Sequence, residues 1–271
     1  MAGLPYSTAL ILGIDNHVGV YLARLLDARG VRVEGVGGSS DGLVELGIAD
    51  DVAMIEPGAA LRAAADGKVD VVFGIAGDHL ATMLDDAATT TRIAHVVEAE
   101  ALRRQPASVA LARRIGDLRR DTRRPVFNVI LHSHDSRLGP GDSLPARIVD
   151  AAYRAAMGGD PQLALTETGP RDWGWTPEYV DAVLRLAALP AVRDAAVATG
   201  HRLSVAEFAE HAFGFFGKDA ADHITITGTG SDADAAADTA ATALKAATGW
   251  SASTWGPDLV RALCEGAATR S

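Results

Sequence analysis

The chain has 271 residues, 48% of them hydrophobic and 22% charged, with a formal net charge of −10. That length can bury a sizeable core, as one large domain or a main domain with a smaller lobe, and the composition excludes disorder as the default state. The acidic balance makes a nucleic-acid backbone or an anionic membrane a poor partner for the molecule as a whole, and the lone cysteine, Cys264, excludes an internal disulfide and a cysteine-rich metal site.

Taken along the chain, Thr8–Leu12 (TALIL) is a short apolar run that ends at Gly13, the pattern of a buried parallel strand. Val18, Leu22, Leu25 and Leu26 recur at helical spacing until Gly30, and Val31–Val36 (VRVEGV) reads as the next strand. Strand, glycine turn, helix and strand in close succession make a right-handed βαβ unit. The alternation continues with a strand at Asp51–Ile55, a helix at Ala59–Ala65, a strand at Val69–Ile75 (VDVVFGI), a helix at Leu80–Ala88 and a strand at Ile93–Val97. A basic amphipathic helix over Ala107–Arg120 and a strand over Val126–Leu131 (VFNVIL) follow. The pattern predicts an α/β fold with a doubly wound parallel sheet.

Beyond Asp135 the texture changes. A Gly/Pro-rich loop, Arg137–Pro145, leads into a helix at Arg147–Met157. Short strands near Leu163–Leu165 and Ala195–Ala198 and helices over Pro177–Leu189, Val205–Phe213 and Asp232–Ala247 come after it. The expected organisation is a Rossmann-type nucleotide-binding domain over residues 1–135 and a smaller substrate-binding lobe over 136–271, some of whose segments return to the main sheet. No uninterrupted apolar stretch is long enough to span a bilayer, and Leu10–Leu12 is too short for a signal-peptide core, so a cytoplasmic protein is expected.

The turn between the first strand and helix reads Gly13-Ile-Asp-Asn16-His-Val-Gly19. In a dinucleotide-binding turn the first glycine permits the bend, the second lets a pyrophosphate approach the backbone, and the third allows close helix–strand packing. Gly13 and Gly19 fill the first and third places, whereas Asn16 puts a side chain in the middle one. The second strand ends Gly37-Gly38-Ser39-Ser40, with no Asp, Glu or Arg before Asp41 to grip an adenosine ribose. The topology thus points to NAD or NADP, with Gly13, Asn16 and Gly19 as contacts, while the side chains argue against tight binding.

Two stretches go beyond a generic nucleotide-binding pattern: Ala9–Val36 (ALILGIDNHVGVYLARLLDARGVRVEGV), and residues 128–208 with NVILHSHDSRLGP, RIVDAAYRAAMGG, RDWGWTPEYVDAVLRLA and ATGHRLSVAEF. In this order, and with the closing DTAATALKAATGWS of residues 238–251, they resemble the GDP-mannose 4,6-dehydratases of the extended short-chain dehydrogenase/reductase (NAD-dependent epimerase/dehydratase) family. The resemblance implies a bound NADP that oxidises a sugar nucleotide at C4, loss of water across C5–C6, and return of the hydride to C6. That chemistry uses a Tyr-x-x-x-Lys pair, the Lys lowering the Tyr pKa by its charge. Here Ala107 and Leu111 stand at those two positions. The four tyrosines, Tyr6, Tyr21, Tyr153 and Tyr179, are followed four residues on by Leu10, Leu25, Met157 and Val183, so the motif is absent from the whole chain.

The same resemblance places Glu98 and Glu100 at the Thr and catalytic Glu of the family's Ser-Thr-Ser-Glu strand. It sets Ser133, His134, Asp135 and Ser136 on its Asn-His-Glu-Ser, Arg147 on a phosphate-contacting Lys, and Arg171 on the Arg of its Arg-Asp-Trp-Gly. Gly37 and Gly38 replace arginines that hold the NADP 2′-phosphate, and Gly228–Ser231 replaces a later nucleotide-gripping Arg-Pro-x-Glu.

The residues also have readings of their own. Glu98 and Glu100, two apart on a strand, would share a face and could form an acid/base pair, or be a solvent-facing strand end. His132 and His134 would likewise share a face; a metal needs further ligands, so pocket polarity is the preferred reading and no metal is assigned. His79 follows the third convincing strand, where ligands of parallel sheets collect, and is either a substrate contact or a loop residue. Arg171 could offer a fork to a diphosphate or pair with Asp172. Trp173 and Trp175 could stack on a ligand or fill the core, with core the preferred reading, and the arginines from Arg113 to Arg124 read as a solvated helix face, which borders a subunit contact in relatives.

Three functions stay open. The first is a redox-disabled relative acting on a nucleotide-linked or phosphorylated sugar by elimination or isomerisation, with Glu98, Glu100 and His134 as catalytic candidates and Arg147, Arg171, Ser133 and His79 as substrate contacts. The second is an inactive protein that binds or regulates a partner. The third is an NADP-dependent dehydratase with substituted catalytic residues. A homodimer, or a heteromer with an active paralogue, is the expected assembly.

Overall fold

The computed structural model describes residues 4–75, 77–166, 168–191, 193–228, 230 and 234–269. In chain order its first half comprises β1 (Thr8–Leu12), α1 (His17–Asp27), β2 (Arg32–Val36), α2 (Asp41–Glu45), β3 (Val52–Met54), α3 (Pro57–Ala65), β4 (Val71–Gly74), α4 (Gly77–Asp86), β5 (Arg92–Glu98), α5 (Ala99–Arg104), α6 (Pro106–Thr122) and β6 (Val126–Leu131). Then come β7 (His134–Asp135), α7 (Leu144–Ala156), β8 (Leu163–Leu165), β9 (Arg171–Asp172), β10 (Gly174–Trp175), α8 (Thr176–Ala187), β11 (Ala195–Val197), β12 (Arg202–Leu203), α9 (Val205–Phe215), β13 (Ile224–Ile226), α10 (Ala237–Thr248) and α11 (Gly256–Thr269). The expected start of the last-but-one helix at Asp232, and Thr229 and Ser231 of the Gly228–Ser231 segment, lie outside the described residues. No helix among the described residues is long and apolar enough to cross a membrane.

Two compact units emerge. The first comprises Met1–Leu131, Tyr179–Val197 and Ala246–Trp250, and carries a seven-stranded sheet of order β11-β6-β5-β4-β1-β2-β3. Every pairing in it is parallel. Such strands are covered on both faces, which is why TALIL and VVFG are apolar without alternation. Leu10, Leu12, Val72, Ile93 and Val126 are buried with Leu80 and Leu84 of α4 and Leu111 and Ile115 of α6.

Arg113, Arg120 and Arg123 are exposed, as the solvated-face reading expects, whereas Arg114, Arg119 and Arg124 tie the unit together. Arg124 is buried and donates to Leu84 O and Ala87 O at the carboxyl end of α4 (2.7 and 2.9 Å), satisfying carbonyls that the helix leaves unpaired. Arg114 donates to Ala81 O at 2.8 Å and pairs with Asp85. Arg119 forks onto both oxygens of Asp194 at 2.6 and 2.8 Å, just before β11.

The second unit comprises His132–Glu178, Ala198–Lys245 and Ser251–Ser271. Its core joins α7, α9 and α11 through Ile148, Ala152, Phe208, Phe213, Leu259 and Cys264. Trp173 is buried there as expected, tilted against Phe208 at 5.2 Å between centroids, and its indole N–H donates to Leu203 O at 3.0 Å. A capping box starts α9, the Ser204 hydroxyl accepting from the Glu207 amide while Glu207 accepts from the Ser204 amide.

Asp172 organises the turn after β11. Its Oδ1 accepts from Thr199 N at 2.7 Å, and its Oδ2 from Gly200 N at 2.7 Å, His201 N at 3.1 Å and the Thr199 hydroxyl at 3.0 Å. The Asp172 amide in turn donates to Asp234 Oδ2 at 3.0 Å.

Candidate active site

In the first unit the strand order reverses direction between β1 and β4, and the crevice beyond the carboxyl ends of the strands at such a switch point is where open α/β sheets bind ligands. A cavity of about 580 Å³ lies there. The start of α1 supplies Asn16 and Val18 to its wall, β5 supplies His95 to Glu98, and α6 supplies Ala107, Ser108 and Leu111.

The glycine turn is built for close packing. Gly13 has φ 85°, a left-handed conformation that suits glycine. A Cβ on Gly19 would sit 2.6 Å from Gly13 O and 2.7 Å from Ile14 Cα, so only glycine lets α1 approach β1 this closely. Asn16 has extended backbone and caps α1, its side-chain oxygen accepting from Val18 N at 2.9 Å. The carboxamide therefore takes a helix amide that a dinucleotide pyrophosphate would use. At the end of β2, Asp15 Oδ2 accepts from Gly38 N at 2.8 Å, and a Cβ on Gly37 would meet Asp15 Oδ1 at 2.8 Å. A carboxylate stands where an NADP 2′-phosphate would need cations. The residues present do not fit NADP, and Asn16 opposes NAD as well.

The catalytic end has changed in the same sense. Ala107 and Leu111, where the resemblance sets the absent Tyr and Lys, line the cavity with apolar groups. Glu98 ends β5 at the cavity wall and is exposed, with a carboxylate oxygen within 4.8 Å of a ring nitrogen of His17 at the start of α1. The expected Glu98–Glu100 face does not form. β5 stops at Glu98, Glu100 lies in the first turn of α5, and its carboxylate pairs with Arg103 at 2.5 Å and with Arg104. A two-residue period holds only on a strand, and the Ala-rich AEALRR run turns helical at once.

His95 was not singled out by the sequence pattern. It is buried on β5, lines the cavity, and its Nδ1 lies 2.9 Å from Asn128 Oδ1 on β6, its register partner. A polar residue in the middle of an apolar strand was the available signal. His79 lies exposed on α4 rather than in a loop, and is not among the residues lining this cavity.

The remaining candidates belong to the second unit. His132 lies between β6 and β7, so it shares no strand face with His134; the chain leaves the sheet at Leu131. His132 Nδ1 pairs with Asp234 Oδ1 at 2.9 Å, and the Ser133 hydroxyl donates to Asp234 Oδ2 at 3.1 Å. Burial would raise the Asp234 pKa, but His132, the Asp172 amide and Ser133 together hold it below the usual 3.8. His134 Nδ1 lies 2.8 Å from His132 O, so that nitrogen is the protonated one. Arg171 lies on β9, its guanidinium 5.8 Å from the Trp173 ring centroid, and Arg147 is exposed on α7.

The crevice, the parallel sheet and the glycine turn define an extended short-chain dehydrogenase-type fold. Solved structures agree. A dTDP-glucose 4,6-dehydratase from Bacillus anthracis in complex with NAD superposes with a TM-score of 0.80 at 11% identity, over 97% of this chain and 96% of that one. A UDP-glucose 4-epimerase from Thermotoga maritima gives 0.78 at 11% identity, over 97% and 99%. DesIV, a dTDP-glucose 4,6-dehydratase from Streptomyces venezuelae, gives 0.75 at 14% identity, over 97% and 98%. The model of the GDP-mannose 4,6 dehydratase family matches residues 111–254, more than half of the chain. The chain belongs to that family, whose members are enzymes acting on sugar nucleotides.

Proposed function

We propose that the chain is an atypical member of the family that binds a nucleotide-linked or phosphorylated sugar and acts on it by non-redox acid/base chemistry, an elimination or an isomerisation. One observation carries this reading. The crevice keeps its cavity and a carboxylate, Glu98, on the wall, while the two positions that would run hydride chemistry, Ala107 and Leu111, are apolar. Asn16 and Asp15 add that neither the pyrophosphate nor the 2′-phosphate of NADP is accommodated. Glu98 is the principal acid/base group in this proposal. Arg147 and Arg171 are proposed phosphate contacts, with Ser133 and His134 as hydroxyl contacts. Glu100, paired with two arginines, and His79 are left out of the chemistry.

The test is turnover on a panel of sugar nucleotides, GDP-mannose first, followed by mass spectrometry and NMR with no nicotinamide added. Product should form, and Glu98→Gln should lower the rate by roughly 10²–10⁴-fold, the usual worth of a positioned acid or base. Formation of a 4-keto sugar only when NADP is supplied would overturn the proposal in favour of the redox reading. Unchanged turnover in Glu98→Gln would remove that residue from it.

A further inference from the structure

The crevice holds a second protonatable group, His95, and its surroundings determine which ring nitrogen carries the proton. The Nδ2 of Asn128 directs its two hydrogens to Ala112 O at 3.1 Å and to Asp194 Oδ1 at 3.1 Å, neither of which can donate. The oxygen of the amide therefore faces the imidazole, and His95 Nδ1 must be the donor of the 2.9 Å bond. A neutral imidazole protonated at Nδ1 has its lone pair on Nε2. Behind Asn128 the chain of contacts continues. Asp194 also accepts from the Asn128 amide at 2.7 Å and takes the Arg119 fork. Burial would raise the Asp194 pKa, but Arg119 and Asn128 hold it below the usual 3.8, so it is a carboxylate and an acceptor only. Burial pushes the His95 pKa down against the opposing pull of Asn128 and Asp194, which keeps the ring neutral near neutral pH.

We propose that His95 Nε2 is a proton acceptor presented to the ligand of the crevice, and that the Arg119–Asp194–Asn128 chain is the positioning device that keeps the lone pair on that nitrogen. The inference rests on the crevice reading given above and adds a residue to it. The proton of a ligand hydroxyl passes to Nε2, the O–H electron pair stays on the oxygen, and the imidazolium later returns the proton to the product. The charged groups that face His95 or its partners are Asp194 and Arg119 behind Asn128, and Glu98 on the same cavity wall.

Long-range proton–nitrogen NMR of the whole chain, labelled with ¹⁵N-histidine, reads the tautomer directly and needs no variant to fold. His95 should show a bare Nε2 and a protonated Nδ1 at neutral pH. Asn128→Leu, which removes the acceptor, should let the proton redistribute to Nε2 and lower kcat with KM little changed, whereas a bond that only stabilised the fold would leave turnover by the folded variant intact. GDP-mannose, as the probe, should move the Nε2 resonance, and His95→Gln should lower kcat on the order of 10²-fold with KM little changed. A wild-type ring protonated at Nε2 overturns the inference. So does full turnover in His95→Gln when the wild type is active, and either result leaves the crevice reading standing. If no sugar nucleotide moves any crevice resonance or is turned over, the crevice reading falls and the inference falls with it.

Discussion

Replacing Asp172 tests how the Arg171-Asp-Trp-Gly174 element holds the turn at Thr199–His201. The carboxylate is fully buried and accepts three backbone N–H groups, at 2.7, 2.7 and 3.1 Å, and one hydroxyl at 3.0 Å. Each hydrogen bond to a charged acceptor contributes about 1.5–3 kcal/mol, and a buried donor left unpaired costs about 1–3 kcal/mol. His201 is exposed, so water replaces part of the loss at that amide, whereas Thr199 is buried. Asp172→Ala should then cost about 3–5 kcal/mol, which for a chain of this size lowers Tm by roughly 6–20 °C. Asp172→Asn sharpens the point. Donors face both oxygens, so an amide nitrogen must confront at least one backbone N–H, and the loss should approach that of the alanine variant. Urea titration and calorimetry of the three proteins decide the matter. An Asp172→Asn protein within about 0.5 kcal/mol of wild type would refute the reasoning.

Gly19→Ala should destabilise by about 1–3 kcal/mol in urea unfolding, because the atoms its Cβ meets at 2.6 and 2.7 Å are backbone and cannot turn aside. Asn16→Gly should cost only a few tenths of a kcal/mol, as glycine is itself a tolerated N-cap. By freeing the Val18 amide it should raise NAD affinity in calorimetry without giving hydride transfer, since Ala107 and Leu111 remain. Asp194 and Asp234 both have folded pKa values held below the ordinary 3.8, so their stabilisation is complete above that value and is lost as pH falls through the folded values. Asp194→Asn and Asp234→Asn should each flatten the acid limb of stability measured by urea midpoint between neutral pH and about 3.

The parallel sheet was legible because its strands are apolar on both faces and its helices carry apolar residues at helical spacing. Thr8–Leu12 and Val126–Leu131 have the same bounds in the sequence reading and in the structure. The short elements were not legible. β9 and β12 are two residues each and exist because Arg171 and Leu203 meet through tertiary packing, which no local pattern encodes. Gly256–Thr269 was missed as a helix although its buried Leu259, Leu263 and Gly266 recur at helical spacing. At the crevice, Glu98 could be placed from the sequence but its partner could not. The boundary between β5 and α5 falls between Glu98 and Ala99 and turns Glu100 onto a helix beside Arg103 and Arg104. His95 was hidden for a different reason. Its significance depends on Asn128, Asp194 and Arg119, residues up to about a hundred positions away that only the sheet brings together.

The changes in the crevice act on separate parts of a dinucleotide yet point the same way. Asn16 takes the Val18 amide at the start of α1, Asp15 takes the Gly38 amide past the end of β2, and Ala107 and Leu111 give the cavity wall apolar groups. If the crevice had lost all chemistry, apolar side chains would be the more stable filling for its wall. Burying His95 and Asn128 carries a desolvation cost that apolar side chains in the same two places would not. The Arg119–Asp194–Asn128 chain nevertheless holds that imidazole in one tautomer at the cavity wall, with Glu98 on the same wall and exposed. That combination supports a site organised for proton transfer over an inert remnant, and the tautomer of His95 is the observable on which the two accounts part.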